Sequence, residues 1–443
     1  MAGAENLGTG SIPKLLWRQA VPASVGILFM TVNLLADTIL TGRWIGPLAI
    51  AALTIVTPVS FLVGSVGFAI GNGGTSVLSR ALGAGHGEKA TATFAHQIML
   101  TLLLCGIFVS IGLLFPDSVL ALFGAKGRIA EPAKIFYYPI LIAAPLQALA
   151  IVGSGVMRAE DRARLAMLVL IIPSVANIGF DVLFIKVLGW GIFGSALATS
   201  LSFLSSFLYC VWFFAFRSSI RLKWKSFAPD WKLTGEICAL SLTTFSRQGV
   251  ISILSVLLNH ALFRHGGELG VTMYGIISKM LMFALFPVNG ITEGFLPVAG
   301  YNYGAKKFGR VRQIVFTAIR SAGILAICIY AMILIFAPQI IASFTHDPAV
   351  VAHTPNALRW VFAASPVIAI QLIGAAYFQA AGQAKKALLL TLSKQGFFLI
   401  PLILILPDYF GIFGIWAAFP VADVLATMVT GFFLWREMRT KLS

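Results

Sequence analysis

The chain has 443 residues, of which 58% are hydrophobic and only 11% charged, with a mean hydropathy of +0.91. A soluble domain carries roughly 45–50% apolar and about 25% charged residues. This balance excludes a soluble enzyme, a disordered chain and a disulfide-stapled secreted domain. A β-barrel is not expected either, because its strands alternate apolar and polar residues and never reach this apolar density. At about 20 apolar residues per crossing, the composition supplies a dozen membrane spans. The net charge of +16 has to be read from where the basic residues fall. Cys105, Cys210, Cys238 and Cys328 lie far apart inside apolar runs and are expected to be small buried hydrophobes. No cleavable signal peptide is expected, since the first sixteen residues lack an apolar core segment.

In chain order the sequence predicts helices near 14–40, 48–79, 91–115, 134–157, 165–188 and 191–216. A second set follows near 233–263, 270–298, 310–337, 353–381, 385–408 and 411–435. Several exceed the minimum for one crossing, so tilt or kinking is expected. Pro22, Pro58, Pro145, Pro173, Pro287, Pro366, Pro401 and Pro420 fall inside them, and neighbouring helices must satisfy the carbonyls they free. Lys and Arg divide unevenly between alternate loops. One side holds 21 of them, including Arg80, Lys89, Arg158, Lys306 and Lys385, and the other holds six. By the positive-inside rule both termini are then cytoplasmic. The basic excess sets topology, and no nucleic-acid partner is expected.

The two sets of six are built alike. Gly191-Ile-Phe-Gly194 recurs as Gly411-Ile-Phe-Gly414, 220 positions later. Pro145, Gly153 and Ala159 match Pro366, Gly374 and Ala380 at a shift of 221, and Gly71 and Gly85 match Gly290 and Gly304 at 219. Residues 1–216 therefore read as an N-lobe, 217–232 as a basic cytoplasmic linker, and 233–443 as a C-lobe. Six helices per half makes a parallel repeat about an axis along the membrane normal. The fold class is an all-α polytopic membrane protein with twelve transmembrane helices in two pseudo-symmetric six-helix lobes. A central cavity is expected between them.

Ionisable residues inside a span are costly and are functional by default. Asp37 lies late in the first helix. Asn177 and Asp181 sit at i and i+4 on the fifth, so they share a face, and Thr199 lies about two turns into the sixth. Helix direction puts all four at similar depth. Two carboxylates, an amide oxygen and a hydroxyl suit one small hard cation or one shared proton. The alternative is that the two aspartates only bond nearby helix backbone or loop residues. The second half has no such set. It carries Arg247 and Gln248 on the seventh helix, Lys279 and Glu293 on the eighth, Gln371 on the tenth, Lys394 on the eleventh and Asp423 on the twelfth. Lys394 and Asp423 are placed to pair. Lys279, Glu293, Arg247 and Gln371 are candidates for a cavity or gate. Arg320 and Arg359 lie near helix ends and are expected to snorkel.

Other chemistries find no support. Gly83, Gly85 and Gly87 precede no Lys-Ser/Thr and follow no strand, so there is no phosphate loop. The six histidines form no metal-binding spacing, and no nucleophile elbow appears. No catalytic residue, cofactor or structural metal is expected. A single Phe or Met among the 35 and 11 is far more often lipid-facing or core than substrate-binding.

The ordered set of motifs resembles the multidrug and toxic compound extrusion (MATE) family. It comprises Ala36-Asp37-Thr38 with Gly42, Arg80-Ala-Leu-Gly83-Ala-Gly85, Met157-Arg158-Ala159, Asn177 to Asp181, and Gly191-Ile-Phe-Gly194-Ser195-Ala196. In the second half it continues with Pro297-Val-Ala-Gly300-Tyr301-Asn302-Tyr303-Gly304-Ala305 and Gln379-Ala380-Ala381-Gly382. The resemblance implies a V-shaped pair of lobes and export of organic cations and other xenobiotics against inward Na+ or H+ flow. It places the coupling-ion site on Asp37, Asn177, Asp181 and Thr199. It implies a monomer in a bacterial inner membrane. The chain departs from the branch with acidic residues on helices seven and ten, and is similar at Lys279 to a branch that is basic there. A flippase for a lipid-linked precursor, from the same superfamily, is the alternative that Lys279, Arg247 and Lys394 keep open. An ion channel and a membrane enzyme rank behind it.

Overall fold

The computed structural model describes residues 5–345 and 347–442. The first six spanning helices are Ile12–Trp44, Pro47–Gly83, Gly87–Leu114, Ala130–Ala159, Ala163–Asp181 and Gly191–Phe216. The fifth continues through a widened π-type turn, Val182–Val187. Next comes a continuous helical run, Trp231–Gly304, of 74 residues. At 1.5 Å per residue it would be about 110 Å long, far more than one bilayer. It breaks at Gly267, whose φ of 59° lies outside the helical region. The arms before and after Gly267 are the seventh and eighth helices. The sequence predicts a loop there, and one glycine replaces it. The ninth helix is Phe308–Phe344. The tenth is the pair Pro348–Val361 and Ser365–Ala380, bent by 46°. The eleventh runs from Ala384–Leu392 through a second π-type turn, Ser393–Leu399, into Ile400–Phe410, and Ile412–Thr440 is the twelfth. Among the described residues the chain is thus an all-α membrane protein with twelve spanning helices.

All eight predicted prolines lie within the spanning helices. Pro366 opens the second arm of the bent tenth helix, and Pro401 follows the second π-type turn. Both are first-turn positions, where no amide hydrogen is needed. Cys105 and Cys210 are buried, whereas Cys238 and Cys328 are exposed on helix surfaces. That corrects the expectation for those two. Lipid is as apolar as a core, so an apolar run does not separate the two environments.

The chain divides into two compact units. The first takes the chain up to Thr9 and Val25–Ser241; the second takes Gly10–Ser24 and the chain from Leu242 on. The first helix therefore changes unit at Ser24 and the seventh at Ser241. Small residues make this possible. In the first unit a Cβ on Gly73 would lie 2.6 Å from the amide nitrogen of Ser241, and in the second a Cβ on Gly294 would lie 2.7 Å from that of Ala20. Both pairs repeat at a shift of 221. Close backbone approach through small residues is how helices associate where lipid removes the hydrophobic drive.

The turns repeat at the same shift. After the second helix, His86 N–H donates to Ala81 O and Gly85 N–H to Leu82 O; after the eighth, Lys307 N–H donates to Asn302 O and Lys306 N–H to Tyr303 O. Both are Schellman endings. The left-handed residue is Gly85 (φ 77°) in one and Lys306 (φ 56°) in the other. The same ending follows the fourth and tenth helices, at Asp161 (φ 64°) and Gly382 (φ 77°). Gly85 therefore corresponds to Lys306, and Gly83 to Gly304. The shift of 219 read from the glycines alone is two residues short.

The Gly-Ile-Phe-Gly repeat has a physical reason as well. Gly191 and Gly411 adopt φ of 57° and 58°, which a β-carbon disfavours. A Cβ on Gly194 would lie 3.0 Å from Phe184 O, and one on Gly414 would lie 2.5 Å from Leu406 O. The first glycine turns the chain and the second lets the new helix pack on the carbonyls just left.

Candidate functional site

Three helices of the first unit each contribute a polar i, i+4 pair: Asp37 and Thr41, Asn177 and Asp181, Ser195 and Thr199. The spacing puts each pair on one helix face. Asp37 faces Asp181, with Ser195 and Thr41 in reach of the same carboxyl group. Thr41 and Ser195 touch through their hydroxyls at 3.3 Å. Asn177 Nδ2 donates to Thr199 Oγ1 at 3.4 Å, and that hydroxyl donates to Ser195 O at 3.2 Å. The four residues read from the sequence therefore lie in one cluster. Thr41 and Ser195 complete it. The sequence marks neither as a site residue, though each lies four residues from one that it does.

Asp181 is fully buried, as are Thr41 and Ser195, and Asn177 is 2% exposed. Asp37 Oδ1 and both oxygens of Asp181 are buried without a hydrogen-bond partner. Native proteins satisfy nearly all such atoms, and each one left bare costs about 1–3 kcal/mol. Two facing carboxylates cannot satisfy each other, because neither donates. A proton held between them would make one of them a donor. A small cation would accept lone pairs from both, from Asn177 Oδ1 and from Thr199 Oγ1, whose own hydrogens are already directed elsewhere. Asp181 is also the last residue before the widened turn Val182–Val187. Such turns loosen the regular backbone pairing and recur at functional positions. Phe184, within that turn, stacks between Phe180 at 5.7 Å and Trp190 at 5.2 Å. Among the described residues, no group of three or more His, Cys, Asp or Glu side chains is arranged to hold a metal ion.

The second unit is different. Lys394 Nζ lies 2.6 Å from Asp423 Oδ1, and both side chains are largely buried. Lys394 sits in the second π-type turn. Gln371 is buried; its Nε2 donates to Leu390 O at 3.2 Å, and Ser393 Oγ donates to the same carbonyl at 2.7 Å. Gln371 thus fastens the tenth helix to the start of the second π-type turn. Arg247 has Glu293 as its charged neighbour, and its Nε is buried without a hydrogen-bond partner. Lys279 is exposed on the surface of the eighth helix. The structure therefore sets Glu293 within electrostatic reach of Arg247, and Gln371 shares the Leu390 carbonyl with Ser393, the residue before Lys394.

Comparison with known proteins agrees with this architecture. The MatE family model matches residues 22–183 and 247–405, one stretch in each half. The multidrug export protein MepA of Staphylococcus aureus (strain NCTC 8325 / PS 47) is 23% identical over 420 residues, covering 94% of this chain and 92% of its own. MepA of Staphylococcus saprophyticus is 23% identical over 423 residues, with the same coverage. Among solved structures, an outward-facing multidrug resistance MATE transporter of the MOP superfamily superposes with a TM-score of 0.92 at 27% identity, covering 99% of this chain and 98% of that one. A MOP superfamily transporter from Pyrococcus furiosus, described as having a binding pocket of reverse polarity, gives 0.91 at 27% identity over the same shares. With both halves matched by the family model and relatives aligned over nearly the whole length, this chain belongs to the MatE family of multi-pass membrane efflux transporters.

Proposed function

We propose that this protein is a secondary active multidrug exporter, an antiporter that extrudes organic cations and other xenobiotics in exchange for Na+ or H+ by alternating access. The observation that carries the reading is the pair Asp37 and Asp181, with three of their four oxygens buried and unpartnered. A site built this way is incomplete without a proton or a small cation. Neutralising the pair removes like-charge repulsion between the first and fifth helices and lets them repack, which releases substrate. Moving one charge through 100 mV yields about 2.3 kcal/mol. At about 1.4 kcal/mol per decade, that sustains roughly a 45-fold gradient of an uncharged substrate per ion; one-for-one exchange with a monovalent cation moves no net charge and draws on the ion's concentration gradient alone. The multidrug export relatives support the substrate class. The distribution of Lys and Arg supports both termini in the cytoplasm, the bacterial relatives support a bacterial inner (plasma) membrane, and we take the protein to act as a monomer.

Efflux of a fluorescent organic cation from proteoliposomes tests this. An inward Na+ gradient or pH gradient drives transport by the native chain, and Asp37→Asn abolishes the driven component. Transport that ignores both gradients, or that persists unchanged in Asp37→Asn, overturns the reading. The orphaned Nε of Arg247 favours one second reading, a flippase whose cavity grips an anionic lipid-linked precursor. In the same liposomes, competition by an anionic pyrophosphate lipid, with none by organic cations, would select it.

A further inference from the structure

The stretch 217–232 joins the sixth and seventh helices, and it is fastened to the first unit at both ends. Glu160, 4% exposed in the turn after the fourth helix, accepts from Ser218 Oγ at 3.0 and 2.9 Å, from Ser219 N–H at 2.7 Å and from Ile220 N–H at 3.0 Å. At the far end, buried His96 on the third helix accepts from Asp230 N–H through Nε2 at 3.2 Å, while its Nδ1 lies 2.8 Å from Ala92 O. This geometry assigns the neutral ring with its hydrogen on Nδ1. Between the anchors, the single turn Trp224–Phe227 packs on the third helix. The backbone is held, so its outward side chains cannot swing in to be buried.

Those outward side chains are of one kind. Trp224 is 94% exposed and Trp231 84%, and Trp224 stands 6.4 Å from Phe227, ring to ring. Around them lie Arg217, Arg221, Lys223, Lys225 and Lys232, all exposed. The only acid in the stretch, Asp230, spends Oδ1 on the amides of Lys232 and Leu233 at the start of the seventh helix. Arg217 lies over Trp212, and Arg221 donates to Ala215 O, so these two arginines cover the end of the sixth helix. The three lysines project beside the tryptophans. The stretch leaves one spanning helix at Phe216 and enters the next at Trp231, so it lies at the edge of the bilayer. Indole rings favour that boundary, and clustered lysines there attract anionic headgroups.

We propose that residues 217–232 form a docking surface for anionic phospholipid headgroups, with Trp224 and Trp231 seated in the interface and Lys223, Lys225 and Lys232 reading the charge. The surface follows from the placement of the linker and stands apart from the transport mechanism. Trp224 and Trp231 supply depth, and the lysines supply selectivity. The contact weakens at high salt, as exposed charges are screened within about 8 Å at physiological ionic strength.

The test uses the whole protein in nanodiscs of zwitterionic lipid, with or without phosphatidylglycerol. The fluorescence of Trp224 is obtained as the difference between the native chain and Trp224→Phe. Lipid brominated near the headgroup is expected to quench it, and more strongly when phosphatidylglycerol is present. The variant Lys223→Gln/Lys225→Gln/Lys232→Gln is expected to lower the enrichment of phosphatidylglycerol among tightly bound lipids by at least ~10-fold, with unchanged thermal unfolding. Trp224 quenched by aqueous acrylamide and by no brominated lipid overturns the proposal. So does quenching that is equal in both lipid mixtures. Shielding of Trp224 by heparin in zwitterionic discs, stronger than by phosphatidylglycerol, overturns it in favour of a soluble acidic partner.

Discussion

Asp37 and Asp181 face each other between the first and fifth helices of one unit, and neither buried oxygen of Asp181 accepts a hydrogen bond. Like charges in such a place are a liability to folding and a resource for coupling. Removing one should therefore separate stability from function. Asp181→Asn gives the pair a donor and removes the repulsion, so its midpoint of thermal unfolding in detergent should equal or exceed that of the native chain, by up to the roughly 1–3 kcal/mol of one unsatisfied group. Gradient-driven efflux should fall by more than tenfold in the same protein. A variant that is both destabilised and inactive would point to a structural role.

Lys394 and Asp423 should behave in the opposite way. They form a close, mostly buried ion pair. Lys394→Met or Asp423→Leu alone strands a charge, and each should cost about 3–5 kcal/mol. The double variant should recover most of the loss, because a buried pair replaced by apolar side chains of similar size is often neutral. Unfolding of the three variants measures this as a double-mutant cycle.

The repeat predicts matched effects at matched glycines. Gly73→Ala and Gly294→Ala each drive a methyl group against a backbone nitrogen, and each should destabilise by about 1–3 kcal/mol. Gly106 in the third helix has open space around it. Gly106→Ala should be neutral or stabilise by up to about 1 kcal/mol. Lys306→Gly should also stabilise, by about 1 kcal/mol, because it gives that turn the residue its counterpart already has at Gly85. The order of unfolding midpoints checks all four.

The carboxylates at the two ends of the linker titrate in opposite senses. Asp230 is held below the usual aspartate range by the amides of Leu233 and Lys232. Its contribution is intact above the ordinary aspartate value and is lost as pH falls through its lowered one. Burial pushes Glu160 up, more than the Ser218, Ser219 and Ile220 donors pull it down. The native state thus holds that proton more tightly, and stability falls as pH rises from the ordinary glutamate range through the raised value. Relative to Asp230→Asn, the native chain should lose stability on acidification. Relative to Glu160→Gln, it should lose stability as pH climbs across that window. Unfolding midpoints of the three proteins, measured across a pH series, check both signs.

Much of this molecule was legible before its structure. Spans follow from apolar length, because a helix in lipid is the one local answer for the backbone. The cluster of Asp37, Asn177, Asp181 and Thr199 could be assembled from helix phase and depth. Thr41 and Ser195 were missed because serine and threonine are ordinary in spanning helices and carry no charge to mark them. The repeat was visible as matching glycines, but its register was not. Gly85 corresponds to Lys306, and a lysine in a left-handed turn leaves no trace in the sequence. Glu160 and His96 were invisible for a different reason. Their partners are backbone amides of the linker, which have no sequence signature. The two π-type turns were equally hidden: Val182–Val187 carries no proline or glycine, and the lone Gly396 of Ser393–Leu399 is ordinary in a spanning helix.

The central claim is that the first-unit cluster takes up the coupling ion. The most direct measurement is proton release by the purified protein in weakly buffered detergent solution when Na+ or an organic cation is added, compared among the native chain, Asp37→Asn and Asp181→Asn. The account predicts release from the native chain and its loss in both variants, with all three proteins folded. Release of the same size from both variants would place the exchanging group elsewhere and contradict it.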